Sequence, residues 1–257
     1  MPSTYAHKKF SEEVMSMLTG EAREAVLAYP SLYCAGCHGP DLLFYYKGAR
    51  RNPVNDQGFA MHKESAAPFF ERAKELVRKN GQAALSYAAG FITHFALDSE
   101  CHGYVEAKRK ELKISHTKLE VEFDRFLLVC CGYDPVSTRL AEHIRPKKED
   151  AAVIAGFFDR PGEVIERAMR DMRRICNLFV TPGRVRHAVI CGILKMLNDE
   201  LPDQVMGRAP DPRCAESNRE MLALFENAKR VAAALIGDFT NNINSAGLCE
   251  RFARDYE

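Results

Sequence analysis

The chain predicts an all-α protein. Apolar residues recur at three- and four-residue intervals along most of its length, the spacing that lines one face of a helix. Period-two runs of β-branched residues, the mark of a half-buried strand, are nearly absent. Pro161-Gly162 and Pro182-Gly183 stand at the leading edges of periodic segments, where proline is compatible with a first helical turn. With 257 residues, 46% of them hydrophobic, the chain can bury a sizeable core and is read as one helical-bundle domain spanning 1–257.

The elements follow in order. Helices are expected over 7–18 and 20–29, then, after a loop, over 64–80. Gly81 breaks the chain before the longest helix, 82–112, because glycine loses the most freedom inside a helix and suits its ends. Ser115 offers an N-cap hydroxyl to the next helix, which carries Glu120 early and ends before Gly132. Further helices are expected over 148–159, 161–180, 182–199 and 212–240, with 202–213 (PDQVMGRAPDPR) as the clearest loop. No internal repeat or low-complexity tract appears. Residues 135–257 are read as scaffold, since His143 and His187 lack carboxylates at a useful spacing. Adjacent Cys130 and Cys131 are read as core residues of a helix end.

Composition excludes several classes of function. The formal charge is +1 with no long basic block, so counterion release supplies no general affinity for nucleic acid, and no stable nucleic-acid partner is expected. The start, MPSTYAHKKFSEEV, lacks the apolar core of an export signal. Nine cysteines at irregular positions fit reduced thiols. Both point to a cytoplasmic protein. Charges interrupt every apolar run before about 18 residues accumulate, so no transmembrane segment is expected, which leaves room for transient contact with a membrane surface.

The chemistry concentrates in one stretch. His94, Asp98 and His102 fall four residues apart on an apolar helix, and His116 and Glu120 repeat the spacing after a turn. Side chains four apart share a helical face, with roughly 6 Å of rise between them. Unpaired charge beside a core is costly, and a bound cation resolves that cost. Imidazole and carboxylate suit zinc. His94 and His102 are separated by about 12 Å of helix, too far to close on one tetrahedral ion, so more than one metal is implied, with Asp98 between them. Ions about 3.5 to 4 Å apart clamp the attacking and leaving oxygens of phosphate esters, which points to phosphoester hydrolysis.

Three upstream residues, His7, Asp41 and His62, say little by spacing alone. Asp41 follows the Gly39-Pro40 turn and, read by itself, is a helix N-cap. Cys34-Ala35-Gly36-Cys37-His38 matches a haem-attachment pattern, and a redox or zinc role is the other reading of its cysteine pair; no export signal, no second cysteine pair and no thioredoxin-like context accompany it. The aromatic run Phe44, Tyr45, Tyr46 beside Asp41 would suit an acyl chain or a base equally.

In that order, His7, the Gly-Pro-Asp turn at Asp41, His62, the His94-Asp98-His102 helix and the His116-Glu120 helix make the first half of the chain resemble the zinc-dependent phospholipase C family, whose helical fold is shared with zinc-dependent single-strand nucleases. The resemblance implies two or three zinc ions. It allots Asp41, His62, His94 and Asp98 to one, His102, His116 and Glu120 to a second, and His7 with the other oxygen of Asp98 to a third. In the family an N-terminal tryptophan completes that third site. This chain has none, and Pro2, after removal of Met1, would be its substitute amine. The implied substrate is a phosphate ester, either a phospholipid or a small phosphodiester, hydrolysed by metal-activated water with Asp41 as ligand and general base. Alternatives are nuclease or nucleotidase activity on the same metals, or a helical metal-binding protein without turnover. Asp124, Glu100 and Glu106 are candidates to support the ligands from behind.

Overall fold

The computed structural model describes residues 4–48 and 50–256. Among these are twelve α-helices and no strand: α1 Thr4–Met15, α2 Gly20–Ala28, α3 Pro30–Gly36, α4 Asp41–Phe44, α5 Pro53–His62, α6 Ala67–Asn80, α7 Gln82–Leu112, α8 His116–Cys130, α9 Lys148–Phe158, α10 Gly162–Leu178, α11 Arg184–Leu197 and α12 Ala215–Asn241. Three 3₁₀ turns, Leu201–Gln204, Pro212–Cys214 and Glu250–Ala253, complete the set. Pro2 lies outside the described residues.

The fold is organised around α7. From Ala84 to Ser99 every residue of this helix is buried, as expected of a helix apolar all round rather than on one stripe. Around it pack α1, α2, α3, α6, α8 and α12. Its first half is walled by an aromatic cluster in which Phe70, Phe95 and Phe252 meet at ring-centre distances of 4.3 to 5.7 Å. Burying polar side chains in such a helix is affordable only where they find partners, and its polar face is where the candidate ligands lie.

The segment between Ala28 and Ala67, expected to be loop, contains three short helices. Pro30 and Pro53 each sit in a first turn, and Asn52 caps α5 by accepting from the N–H groups of Val54 and Asn55. These helices are too short for periodicity to reveal. Where α3 crosses α7, a side chain on Gly36 would overlap the Tyr87 carbonyl, and one on Gly90 would overlap the Tyr33 carbonyl. The two backbones touch through paired glycines. Cys130 and Cys131 are exposed, not core, because α8 ends there in solvent.

Asp124 fastens α8 to α1. Its two oxygens accept from the N–H groups of Tyr5 (3.0 Å) and Ala6 (2.7 Å), two of the donors that a helix start leaves unpaired. Asp124→Ala is expected to cost roughly 2 to 4 kcal/mol, since a buried carboxyl acceptor is lost and two buried donors are orphaned. Asp124→Asn should cost less. Urea unfolding of the metal-free protein measures both; equal midpoints for all three proteins would discount the tie.

Candidate metal centre

The eight predicted residues converge. His7 comes from α1, Asp41 from the first position of α4, His62 from the last turn of α5, His94, Asp98 and His102 from α7, and His116 and Glu120 from α8. Asp98 lies at the middle. One of its oxygens, Oδ2, is 3.0 Å from His94 Nε2 and 3.8 Å from His62 Nε2, while Oδ1 is 3.2 Å from His7 Nε2 and 3.8 Å from His102 Nε2. His62 Nε2 also lies 3.1 Å from Asp41 Oδ1. At the far end, Glu120 Oε1 is 3.5 Å from His102 Nε2 and 3.1 Å from His116 Nε2.

The potential ligand atoms of these eight residues fall into three groups, each within 4.8 Å: His7, Asp41 and His94; His62, His94 and Asp98; and His102, His116 and Glu120. The last is the set the resemblance allotted to one ion. In the other two, His94 is shared and Asp41 stands with His7 as well as with His62. A cavity of about 20 Å³ bounded by Asp98, His102 and Glu120 has room for one water-sized sphere.

These residues fit a metal on grounds internal to the structure. His7 Nδ1, both ring nitrogens of His94 and Asp41 Oδ1 are buried without satisfying any hydrogen-bond geometry, an arrangement that is costly in a plain core. Three imidazoles are also held from behind. His62 Nδ1 donates to the Gly58 carbonyl (2.8 Å), His102 Nδ1 to the Tyr256 carbonyl (2.6 Å), and His116 Nδ1 meets Glu106 Oε1 at 2.8 Å. Such outer partners leave Nε2 to point at a cation, as they do for ligating histidines generally.

The electrostatics agree. Burial opposes the negative charge of Asp98, yet His94, His102 and His7 hold its carboxyl well below the usual range. Burial likewise opposes ionisation of Asp41 and Glu120; both stay low, and the neighbouring histidines are among the groups that lower them. For His102, burial disfavours the cation but Asp98 and Glu120 prevail and push it up to about 9. Burial opposes the His116 and His62 cations too, and Glu120 and Asp41 raise them; in His94 burial dominates and lowers the pKa. Raised histidines stabilise the metal-free fold fully below the unfolded value of 6.5 and lose that contribution as pH rises towards 9. Metal-free protein should therefore weaken across this window. Zinc-loaded protein should not, because binding displaces the same protons and tightens as pH rises. Urea midpoints at several pH values test this; parallel declines would exclude His102 from the metal site.

Several smaller expectations are corrected. Asp41 does not cap α4 with its side chain; the carboxylate turns inward instead. Glu106 supports His116, but Glu100 pairs on the surface with Arg251 and Arg254. Asp124 hydrogen-bonds to no candidate ligand side chain and acts on His7 through the backbone of α1, at Tyr5 and Ala6. Phe44 and Tyr45 are buried, and Phe44 stacks on His62 with ring centres 5.2 Å apart, so packing accounts for them. The C-terminal segment is more than scaffold: Tyr256 is buried, its ring 5.4 Å from that of His62, and its carbonyl orients His102. No local pattern announces a contact across 154 residues. A concavity of about 670 Å³ lined by Lys47, Arg50, Asn52, Arg167, Arg174 and Ile175 contains none of the eight.

Among curated proteins and among solved structures, none matches the chain. The family model described as zinc dependent phospholipase C matches residues 6–165, well over half of the chain and a span that includes all eight converging side chains. On that match, the all-helical chain with its buried histidine and carboxylate clusters belongs to the zinc-dependent phospholipase C family.

Proposed function

We propose that this protein is a zinc-dependent phosphodiesterase of phospholipase C type, with His7, Asp41, His62, His94, Asp98, His102, His116 and Glu120 as its metal ligands. The observation that carries this reading is Asp98, a buried carboxylate whose two oxygens are faced by imidazoles from three different helices. When bound, zinc supplies Lewis acidity towards phosphoryl oxygens and towards water. The chain's residues do the rest. Asp98 separates two sets of imidazoles and offers each an oxygen. Asp41 Oδ1, buried without a hydrogen bond, can accept one from the attacking water; its low pKa suits it to orienting that water more than to keeping its proton. Gly58, Tyr256 and Glu106 fix the rings of His62, His102 and His116.

A phospholipid is the substrate class this reading favours. A cleft of about 490 Å³ has Met61, Phe69, Phe157, Phe158 and Tyr256 on one part of its wall and Gln57, Glu64, Arg72 and Asp159 on another, and Tyr256 abuts both His62 and His94. A wall part apolar and part charged suits an amphiphile. Assays of zinc-loaded protein on a chromogenic phosphocholine ester, a bis-aryl phosphodiester and single-stranded DNA test the reading. Turnover of the phosphocholine ester is expected. Cleavage of DNA alone would make the protein a nuclease, and zinc binding without turnover on any of them would leave a non-catalytic metal protein.

The contact with a lipid surface is assigned to α11. Among the described residues, no helix is long and apolar enough to cross a membrane. On α11, however, Val185, Val189, Ile193 and Leu197 form an exposed stripe at four-residue steps, and Met196 adds to it. The helix contains Arg184, Arg186 and Lys195 and no acidic residue. An apolar stripe with a cationic flank suits anionic lipid; a second copy would bring like charges together. The turn Leu201–Gln204 packs on both α11 and α8, and Asp203 accepts from Ser115 Oγ (2.6 Å), next to His116. The stripe thus sits on the side of the most exposed ligand. Val189→Asp with Ile193→Asp should lower sedimentation with phosphatidylglycerol vesicles by about tenfold or more, and lower the ratio of vesicle to soluble-ester activity. Undiminished sedimentation would reject the assignment; a lipid-independent dimer dissolved by the double variant would put a second copy there.

A further inference from the structure

The motif Cys34-Ala35-Gly36-Cys37-His38 has no part in the centre described above, yet the fold gives it a partner. α3 ends at Gly36, and Cys37 and His38 form the turn that leads into Gly39-Pro40-Asp41. Against this turn lies His143, from the connection between α8 and α9. The Nε2 atoms of His38 and His143 are 2.6 Å apart, with ring centres at 4.9 Å. A ring nitrogen of each and the Cys37 sulfur all lie within 4.8 Å of one another. Cys37 is fully buried and His38 is 1% exposed. His143 Nδ1 is buried with no hydrogen-bond partner. Two neutral imidazoles can share one proton across their facing nitrogens, but this leaves that second ring nitrogen of His143 unsatisfied, a cost that packing alone does not repay.

We propose that Cys37, His38 and His143 form a separate, sulfur-containing site for one zinc-like divalent cation. The donors are those of a zinc site, one thiolate and two imidazoles, for which metal bonds of about 2.3 Å to sulfur and about 2.0 to 2.1 Å to nitrogen are usual. Ligand nitrogens around a tetrahedral ion stand about 3.3 Å apart, so the facing pair need open by less than an ångström. Burial keeps both imidazoles neutral, pushing His38 well down and His143 down to about 3, and neutral rings are the ligating form. Burial pushes the Cys37 thiol well above its ordinary value in the metal-free protein; on binding it gives up its proton to solvent, displaced by the cation, and the imidazoles retain one each. The fourth position is left to water or to Cys34, one turn upstream, whose carbonyl accepts from the Cys37 thiol at 3.1 Å. The site is a staple. It ties the connection before α9 to the turn that places Asp41, three residues beyond His38.

Cobalt distinguishes this site from the other, because the family centre offers only nitrogen and oxygen donors. Protein saturated with Co²⁺ should show a near-ultraviolet thiolate-to-cobalt charge-transfer band beside the visible d–d bands. The band should vanish in Cys37→Ser and persist in Asp98→Asn. Bound metal should fall by one ion per chain in His143→Asn, a half-buried position chosen so that circular dichroism can certify the fold if Cys37→Ser does not tolerate the change. A protein with full d–d absorption and no charge-transfer band overturns the proposal. So does a band that survives in Cys37→Ser, or one lost in Cys101→Ser, since Cys101 adjoins Asp98 and His102, or one lost in Asp98→Asn, which would merge the two sites.

Discussion

Asp98→Ala is expected to abolish zinc retention and to lower phosphodiester hydrolysis by at least about a thousand-fold, the scale on which single electrostatic contacts to a transition state operate. The reason is positional. Asp98 is 5% exposed and stands within 4 Å of His7, His62, His94 and His102; without it the four rings lose the one anion they share, leaving Asp41 beside His62 and Glu120 beside His102. Asp98→Asn separates charge from shape, since the amide fills the same volume but its nitrogen cannot ligate. Both variants should fold, as judged by circular dichroism, and both should lack metal by elemental analysis. The metal-free alanine variant should also lose part of the stability decline between pH 6.5 and 9, because Asp98 is a main cause of the raised His102. Wild-type zinc content in either variant would end the case for Asp98 as a shared ligand.

The second large effect is expected at Gly39, a residue that binds nothing. Its φ is +48°, in the left-handed region, and a methyl group there would overlap the His94 ring. Left-handed backbone costs a non-glycine residue about 1 to 2 kcal/mol, and forcing atoms into a packed site costs about 1 to 3 more. Gly39→Ala should therefore destabilise by roughly 2 to 5 kcal/mol, lowering Tm by on the order of 10 °C for a chain of this size. It should also lower zinc affinity, because whatever relieves the overlap moves either His94 or the turn that presents Asp41. Gly20 has a comparable φ of +56° with open space around its missing side chain, so Gly20→Ala isolates the backbone cost: it should lower Tm while zinc affinity stays as in the native chain. Equal Tm and equal affinity for Gly39→Ala and the native chain would show that the turn adapts without disturbing His94.

Much of this molecule can be read locally. The ladder His94-Asp98-His102 on an apolar helix, the repeat at His116 and Glu120, the break at Gly81 and the cap at Ser115, whose hydroxyl accepts the Lys118 N–H at 3.0 Å, are consequences of helical periodicity and end chemistry over a few residues. The chain alone thus determined an all-helical protein with a metal-suited face on its central helix. Periodicity says which face a residue occupies, but not what comes to meet it. That His7 lies 3.2 Å from Asp98 Oδ1 depends on Asp124 holding the start of α1. That Asp41 reaches His62 depends on α3 touching α7 through Gly36 and Gly90, where either missing side chain would block the approach. The Tyr256 carbonyl behind His102, and His143 against Cys37 and His38, arrive from the far end of the chain and from a connection with no periodicity of its own. Only the tertiary structure decided these meetings, because they are set by how closely backbones can pack over long range, a property that no spacing within one helix encodes.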